Sequence, residues 1–186
     1  MEFSTDGARI HYETWGNASD RPAVTLVNGH TRTVRDFRAM GNYLAERGWF
    51  VVSLDNRGSG ASTTSRPYAM DDLVADVPAL WRHAGVTRTH LLGISLGGMI
   101  AMQLAASRPR ELTSLVLVST APSWNEPLDD YGASDEELQT RLMKYFSPDF
   151  AHRQRILIRG MIQELAKAFR EPGRRAATEE QRRAFQ

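Results

Sequence analysis

Ser95 lies between two closely spaced glycines, in a setting that favours nucleophilic chemistry. Ser95 is the centre of Gly93-Ile94-Ser95-Leu96-Gly97. An apolar run typical of a buried strand precedes it, and small and apolar residues at helical spacing follow it. A serine hydroxyl is a poor nucleophile until a base takes its proton, so it must be presented to that base. A Gly-x-Ser-x-Gly pattern between a strand and a helix is typical of a turn that does this.

The expected shape of this turn gives each neighbour of Ser95 a role. Glycine is expected at positions 93 and 97, because a sharp turn crowds the backbone and a Cβ atom would clash. The helix after the turn points its free N–H groups and positive end at the site, which favours a developing oxyanion. The N–H of Leu96 is therefore the first candidate for an oxyanion hole. The alternative is a glycine-rich turn without chemistry, which the flanking strand and helix make the weaker interpretation.

Composition narrows the classes of function. The 186 residues are 41% hydrophobic and carry a formal net charge of +1, which indicates a folded domain without a general attraction to nucleic acid or membrane. Arginines cluster between residues 170 and 183, and a solvated helix face is the expected explanation. The absence of cysteine excludes disulfides and thiol catalysis. No His, Asp or Glu cluster has metal-ligand spacing, so we expect no metal and no cofactor.

The sequence also predicts where the protein resides. Its N-terminus has neither a basic segment nor the apolar stretch of a secretory signal, and no apolar run approaches membrane-spanning length. We therefore expect a soluble cytoplasmic protein.

Alternating strands and helices are expected to position Ser95. A hairpin turn is predicted at Asp6-Gly7, and a proline at position 78 predicts a kink or break in the second helix. Strands that alternate with helices indicate parallel βαβ units and a doubly wound, mostly parallel sheet, an α/β fold. The predicted strands are 23–27, 49–54, 90–94 and 115–119, and the predicted helices are 37–48, 70–85 and 97–107.

The pattern changes after Pro122. Residues 134–186 contain helical apolar stripes and no convincing strand. Pro172-Gly173 interrupts them, and a polar, arginine-rich stretch continues to Gln186. The predicted organisation is a core at 1–122 followed by a helical cap region at 123–186.

Several segments together resemble one family. Leu26 to Thr31 is similar to the His-Gly loop of the α/β-hydrolase superfamily, and Leu54 to Ser62 is similar to its Asp-x-Arg-Gly-x-Gly-x-Ser loop. Leu91 to Met99 is similar to its nucleophile elbow, and Leu115 to Ala121 matches the strand that leads into its cap. The likeness is to small bacterial esterases, enol-lactonases and haloperoxidase-like members with a helical cap.

This resemblance implies a chemistry and a set of site residues. Ser95 would be the nucleophile, and the backbone N–H groups of Leu96 and His30 would form the oxyanion hole. Asn28 stands where the family usually has histidine, and Asp55 and Arg57 would hold their loop. A serine rather than a carboxylate at the nucleophile position implies acyl transfer from esters, lactones, thioesters or peracids. Aromatic residues of the cap region would face a small to medium apolar acyl group: Trp124, Tyr131, Tyr145, Phe146 and Phe150.

The family's acid and histidine follow its cap, and neither segment is recognisable before Gln186. We therefore expect a C-terminally truncated piece with an exposed edge at strand 115–119. A second polypeptide would complete the sheet, the protein would self-associate, or the sequence would be part of a longer chain. Within the chain, His30 and His152 are the alternatives for the base, the latter after four aspartates that preserve the order Ser–Asp–His: Asp129, Asp130, Asp135 and Asp149.

The functional prediction is a serine hydrolase that cleaves carboxylic esters or lactones through an acyl-enzyme on Ser95. The alternative is a catalytically silent or partner-dependent hydrolase-like module without its own acid and histidine.

Overall fold

The structure is a computed structural model, and it describes residues 1–18, 21–123, 136, 139–140, 143, 146–170 and 172–184. Its description of residues 164–170 and 172–175 is limited to the backbone. The chain forms two compact units. The first consists of Met1–Asn125 together with Thr178–Gln186, and the second consists of Glu126–Ala177.

A mixed sheet forms the centre of the first unit. Its strands pair in the order β1-β2-β4-β3-β6-β7, and β5 pairs with β2. The pairs β3–β4, β3–β6 and β6–β7 are parallel, whereas β2 is antiparallel to each of its neighbours. The strands are β1 Glu2–Thr5, β2 Ala8–Trp15, β3 Ala23–Val27, β4 Val51–Leu54, β5 Thr63–Thr64, β6 Thr89–Ile94 and β7 Leu112–Val118.

Helices follow the parallel strands, as the βαβ pattern predicts. A 3-10 turn at Val34–Phe37 leads into the first helix after β3. The helices are α1 Arg38–Ala45, α2 Met70–His83, α3 Leu96–Ala106, α4 Pro148–Arg153, α5 Arg155–Arg170 and α6 Pro172–Ala184.

Both faces of the sheet are covered. Val27 and Leu54 belong to the large core cluster with Trp81, whereas their neighbours in the chain, such as Leu26, pack with Phe37 in a second cluster. Consecutive residues of a strand point to opposite faces, so these strands are buried on both sides, as parallel strands usually are. The predicted α/β fold with a doubly wound, mostly parallel sheet is confirmed.

The register of the sheet brings three loops to one edge. Val27, the last residue of β3, pairs with Leu54 of β4 and with Gly93 of β6. The segments that begin at residues 28, 55 and 95 therefore leave the sheet side by side at the carboxyl ends of parallel strands. This edge is where open α/β sheets bind their ligands.

Two helices differ from the sequence prediction. Of the kink or break predicted at Pro78, the break does not occur, because α2 continues from Met70 to His83 through the proline. Burial of Val77 and Leu80 against the core stabilises the helix more than one missing backbone donor weakens it. In addition, the polar stretch after Pro172 forms helix α6, whose first residue is that proline, a favourable position for proline in a helix.

The second unit has a small apolar cluster of its own. Ala151, Ile158 and Ile162 are buried there and pack against Met143 and Phe146. Phe146 also stacks on Phe150 at a ring distance of 5.6 Å. The other aromatic residues expected to face a substrate, Trp124, Tyr131 and Tyr145, lie outside the described residues. Among the described helices, none is long and apolar enough to cross a membrane.

Candidate active site

Ser95 is the single residue between the end of β6 and the start of α3. Its backbone has φ 53° and ψ −119°, a conformation that residues other than glycine rarely adopt. Hydrogen bonds on both sides hold it there. Its N–H donates to the carbonyl of Val118 at 3.0 Å, and its carbonyl accepts from the N–H of Gly98 at 2.8 Å and from the Thr120 hydroxyl at 2.7 Å. Such strain persists only where the surroundings fix it, and it is concentrated at functional sites.

The two flanking glycines are required by close backbone contacts. A Cβ atom at Gly93 would overlap the carbonyl oxygen of Gly97, and one at Gly97 would overlap the carbonyl oxygen of Val27. The neighbours are backbone atoms that cannot rotate away. The sharp turn around Ser95 is therefore available only to a chain with glycine at both positions.

The loop after β3 lies directly against the serine. A Cβ atom built on Gly29 would be 3.3 Å from the Cβ atom of Ser95, so the amide that follows, that of His30, begins beside the serine. On the other side, Leu96 is the first residue of α3, and its N–H has no acceptor within the helix. Both backbone N–H groups that the sequence assigns to an oxyanion hole thus belong to segments next to Ser95.

Asn28 braces this loop. Its side-chain Nδ2 donates to the carbonyl of Thr33 and to Asp36, each at 3.0 Å, and its Oδ1 accepts from the N–H of Gly29 at 2.8 Å. The same side chain is 5% exposed. An asparagine can therefore satisfy this position through short-range hydrogen bonds within the loop.

The loop after β4 is held by buried charges. The Asp55 carboxylate accepts from the N–H groups of Val34 at 2.7 Å and Ala61 at 2.9 Å. Arg57 forms a buried two-pronged ion pair with Asp76 on α2, with an N–O distance of 2.8 Å. Both side chains are 1% exposed, so these groups serve the loop and not a ligand.

The His30 ring points to helix α6. Its Nε2 lies 3.1 Å from the carbonyl oxygen of Thr178 and must donate there, because a carbonyl can only accept. Burial lowers the pKa of His30, and the nearby Arg182 guanidinium lowers it further, while the bond to Thr178 acts in the opposite direction. The ring is therefore neutral at physiological pH, with Nε2 engaged away from proton transfer.

Within the described part of the chain, no histidine is hydrogen-bonded to the Ser95 hydroxyl. His90 bonds the Ser114 hydroxyl at 2.7 Å and belongs to the opposite end of β6. His152 is exposed on α4 in the second unit, and its neighbour Asp149 pairs with Arg153. Of the other aspartates in the Ser–Asp–His alternative, three lie outside the described residues: Asp129, Asp130 and Asp135.

One residue of this edge was not anticipated from the sequence. Gln181 on α6 is completely buried and bonds both the loop after β3 and the loop after β4. It lies in a stretch of arginines and glutamates without an apolar periodicity, so the sequence carries no signal for its burial. In the described residues, no group of three His, Asp or Glu side chains could hold a metal ion.

The loops at this edge of the sheet and a comparison with protein families together identify the family of this chain. A family model for the alpha/beta hydrolase fold matches residues 22–179, which is most of the chain. The protein therefore belongs to the α/β hydrolase fold family, as its three loops predict.

Two curated relatives illustrate the range of the family. The chain is 35% identical over 120 residues to a putative carbamate hydrolase RutD of Variovorax paradoxus. The aligned region covers 63% of this chain and 44% of that protein. It is 28% identical over 168 residues to 3-oxoadipate enol-lactonase 2 of Acinetobacter baylyi, and this alignment covers 85% of this chain and 62% of that protein. The chain thus spans about half the length of the curated relatives that it matches.

Solved structures share the fold. The enol-lactonase of Burkholderia xenovorans LB400 superposes with a TM-score of 0.79 at 20% identity, over 100% of this chain and 73% of that one. MGS-M2, an alpha/beta hydrolase from a deep-sea metagenome library, superposes with a TM-score of 0.83 at 19% identity, over 100% and 71%.

Proposed function

We propose that this protein is a serine hydrolase that cleaves carboxylic esters or lactones through an acyl-enzyme on Ser95. The observation that carries the proposal is the strained backbone of Ser95 at the start of α3, with Gly29 packed against it. A fold retains strain of this kind where it presents a reactive group. The curated relatives support the class, since their names are those of hydrolases, among them an enol-lactonase.

The reaction has two halves. The Ser95 Oγ bonds to the carbonyl carbon of the substrate, its proton passes to a general base, and the carbonyl electron pair moves to oxygen. The N–H groups of Leu96 and His30 stabilise that oxyanion, a contribution of about 10²–10³ in kcat per donor in related chemistry. Collapse expels the alcohol oxygen, which takes the proton from the base. In the second half, water attacks the carbonyl carbon of the acyl-enzyme while the base takes its proton. Collapse then releases the acid, and the Ser95 oxygen takes the proton back from the base.

The alternative is a silent or partner-dependent module, and one observation favours it: the ring of His30, in the loop beside Ser95, is hydrogen-bonded to the Thr178 carbonyl. Without a base, a serine site retains only the rate that binding and the oxyanion hole provide.

A single experiment separates the two functions. Hydrolysis of p-nitrophenyl butyrate and of a simple lactone is measured for the parent protein and for Ser95→Ala, together with covalent labelling by a fluorophosphonate followed by intact mass. Turnover and labelling that both disappear in Ser95→Ala support the hydrolase. Turnover that survives the substitution would refute the role of Ser95. A parent protein without turnover or labelling would contradict the hydrolase and favour the silent or partner-dependent module.

A further inference from the structure

The side chain of Gln181 connects two loops that leave the sheet at the carboxyl ends of its strands. Its Oε1 accepts from the backbone N–H of Thr31 at 2.8 Å. Its Nε2 donates to the carbonyl of Arg57 at 2.6 Å and to the Ser59 hydroxyl at 3.1 Å. The side chain is 0% exposed, so water cannot replace these bonds.

The loop that Gln181 contacts is under backbone strain. Thr31 has φ 62°, in the left-handed region that a β-branched residue rarely occupies. It directly follows His30, and two residues earlier Gly29 lies against Ser95. A bond to the Thr31 amide therefore fixes the orientation of the peptide units next to the serine.

The same helix face contacts the loop a second time. The carbonyl of Thr178, one turn before Gln181, accepts from the His30 ring at 3.1 Å. The segment 178–184 and the loop belong to the same compact unit. Two groups of α6, one turn apart, thus hold residues 30 and 31: the Thr178 carbonyl bonds the His30 ring, and the Gln181 side chain bonds the Thr31 N–H.

The bonds of Gln181 are not equally replaceable. The Arg57 carbonyl also accepts from the Tyr68 hydroxyl at 3.0 Å, so it stays satisfied when Gln181 is removed. The Thr31 N–H, in a half-buried position, would lose its acceptor, and the strained loop could recover one only by moving. The consequence of losing Gln181 should therefore fall on residues 28–33 more than on residues 55–62.

We propose that Gln181 is a positioning residue for the reaction at Ser95, because it fixes the loop that supplies the His30 N–H to the oxyanion. The proposal rests on the proposed function. It makes the geometry at Ser95 depend on the last turns of α6, a segment that the sequence presents only as a polar surface.

The test compares Gln181→Met, which keeps the length of the side chain without its polar atoms, with Gln103→Met as a matched control. Gln103 is an exposed glutamine on α3 that bonds only Asp71. Amide hydrogen exchange by NMR reports on residues 28–33 and 55–62, and steady-state kinetics report kcat and KM. We expect Gln181→Met to speed exchange at 28–33 by about tenfold or more. We also expect kcat to fall by about tenfold or more, with KM within about twofold.

Conservative variants keep the test decisive. Gln181→Glu retains an oxygen for the Thr31 N–H but cannot donate to the Arg57 carbonyl and buries a carboxyl group, so exchange at 28–33 should be slower than in Gln181→Met without reaching the parent. Gln181→Asn, one methylene shorter, replaces Gln181→Met as the test variant if the latter does not fold, with the same expected changes.

Each result has one meaning. The proposal is overturned if exchange at 28–33 is unchanged in Gln181→Met, or if its faster exchange is spread evenly over the first unit. It is also overturned if the parent is active and Gln181→Met has the same kcat. If the parent shows no Ser95-dependent turnover, the proposed function fails, and positioning for catalysis fails with it. In that case, faster exchange confined to residues 28–33 in Gln181→Met would still establish that Gln181 holds this loop. The two failures are therefore distinguishable.

Discussion

The hydroxyl of Thr120 donates a 2.7 Å hydrogen bond to the backbone carbonyl of Ser95. Ser95 in turn donates its N–H to Val118 at 3.0 Å, so the strained residue is tied on both sides to the segment at the end of β7. The conformation of Ser95 thus depends on the end of β7 and on Thr120 just after it, which is 25 residues away in the chain.

Replacing Thr120 by valine removes this bond and keeps the shape of the side chain. The Ser95 carbonyl retains its bonds to Gly98 and Met99, so we expect the free energy of unfolding to fall by only about 1 kcal/mol. The turn is less well fixed, and kcat for ester hydrolysis should fall by up to about tenfold. Urea unfolding and initial rates measure the two effects. Thr113→Val, an exposed position on β7, is the control, and equal effects of both variants would contradict the role of the hydrogen bond.

Adding one methyl group at position 97 should damage the fold itself. In Gly97→Ala the new Cβ atom would overlap the carbonyl oxygen of Val27, and α3 would have to move away from the sheet. We expect a loss of about 1–3 kcal/mol in the free energy of unfolding, the usual cost of overpacking, or no soluble protein.

Gly160→Ala is the matched control for that change. A Cβ atom at Gly160 has no neighbour within 4 Å, and the residue lies inside helix α5. Alanine there should stabilise its helix by about 0.5–1 kcal/mol. Thermal unfolding of both variants decides: a Gly97→Ala protein as stable as the parent would show that the turn at Ser95 is looser than described.

Asp72 should give a stabilisation that depends on pH. The bond from Arg66 is the main cause that lowers the pKa of its carboxyl, with the N–H of Ala69 also contributing. A lowered pKa in the folded state means stabilisation that is present above the ordinary carboxyl pKa and is lost as the pH falls through the lowered value. Because Arg66 is 38% exposed, solvent screening limits the effect of Asp72→Asn to about 1 kcal/mol at neutral pH.

Urea unfolding of the parent and of Asp72→Asn at about pH 7 and about pH 2.5 checks this sign, because the difference should be smaller at the acidic pH. Asp71→Asn is the control. It has a nearly equivalent position at the start of α2, and its bond is to Gln103, not to an arginine. A difference between parent and Asp72→Asn that was as large in acid as at neutral pH would have to come from packing and not from charge.

Most of the fold could be predicted from the sequence because its signals are local. The apolar run at 23–27 and the Asp6-Gly7 turn appear in the structure at the predicted residues. The position of Ser95 between β6 and α3 also follows from a short motif. In each case neighbouring residues determine the conformation, so a window of a few residues contains the information.

The rest depended on contacts between distant residues. Pro78 predicted a kink or a break, but burial of the surrounding helix in the core keeps α2 unbroken there. The charged neighbours of Gln181 predict a surface residue, whereas it is buried and hydrogen-bonded to Thr31 and Arg57, 150 and 124 residues away. Such partners leave no pattern within a single sequence.

The outer edge of β7 is the feature that should govern association of this chain. Within the described residues no strand pairs with that edge, and the large apolar side chains at its end are exposed: Val116 at 46%, Leu117 at 41% and Val118 at 37%. An open strand with an apolar surface is a template for pairing with another chain. We therefore expect the parent to self-associate at about 100 µM, and Leu117→Lys to shift it toward the monomer in sedimentation velocity. Met40→Lys, at a position of α1 that is 40% exposed, adds the same charge away from the edge and should leave association unchanged. A parent that stays monomeric would contradict the prediction. An equal effect of the two lysines would show that charge in general and not the β7 edge controls association.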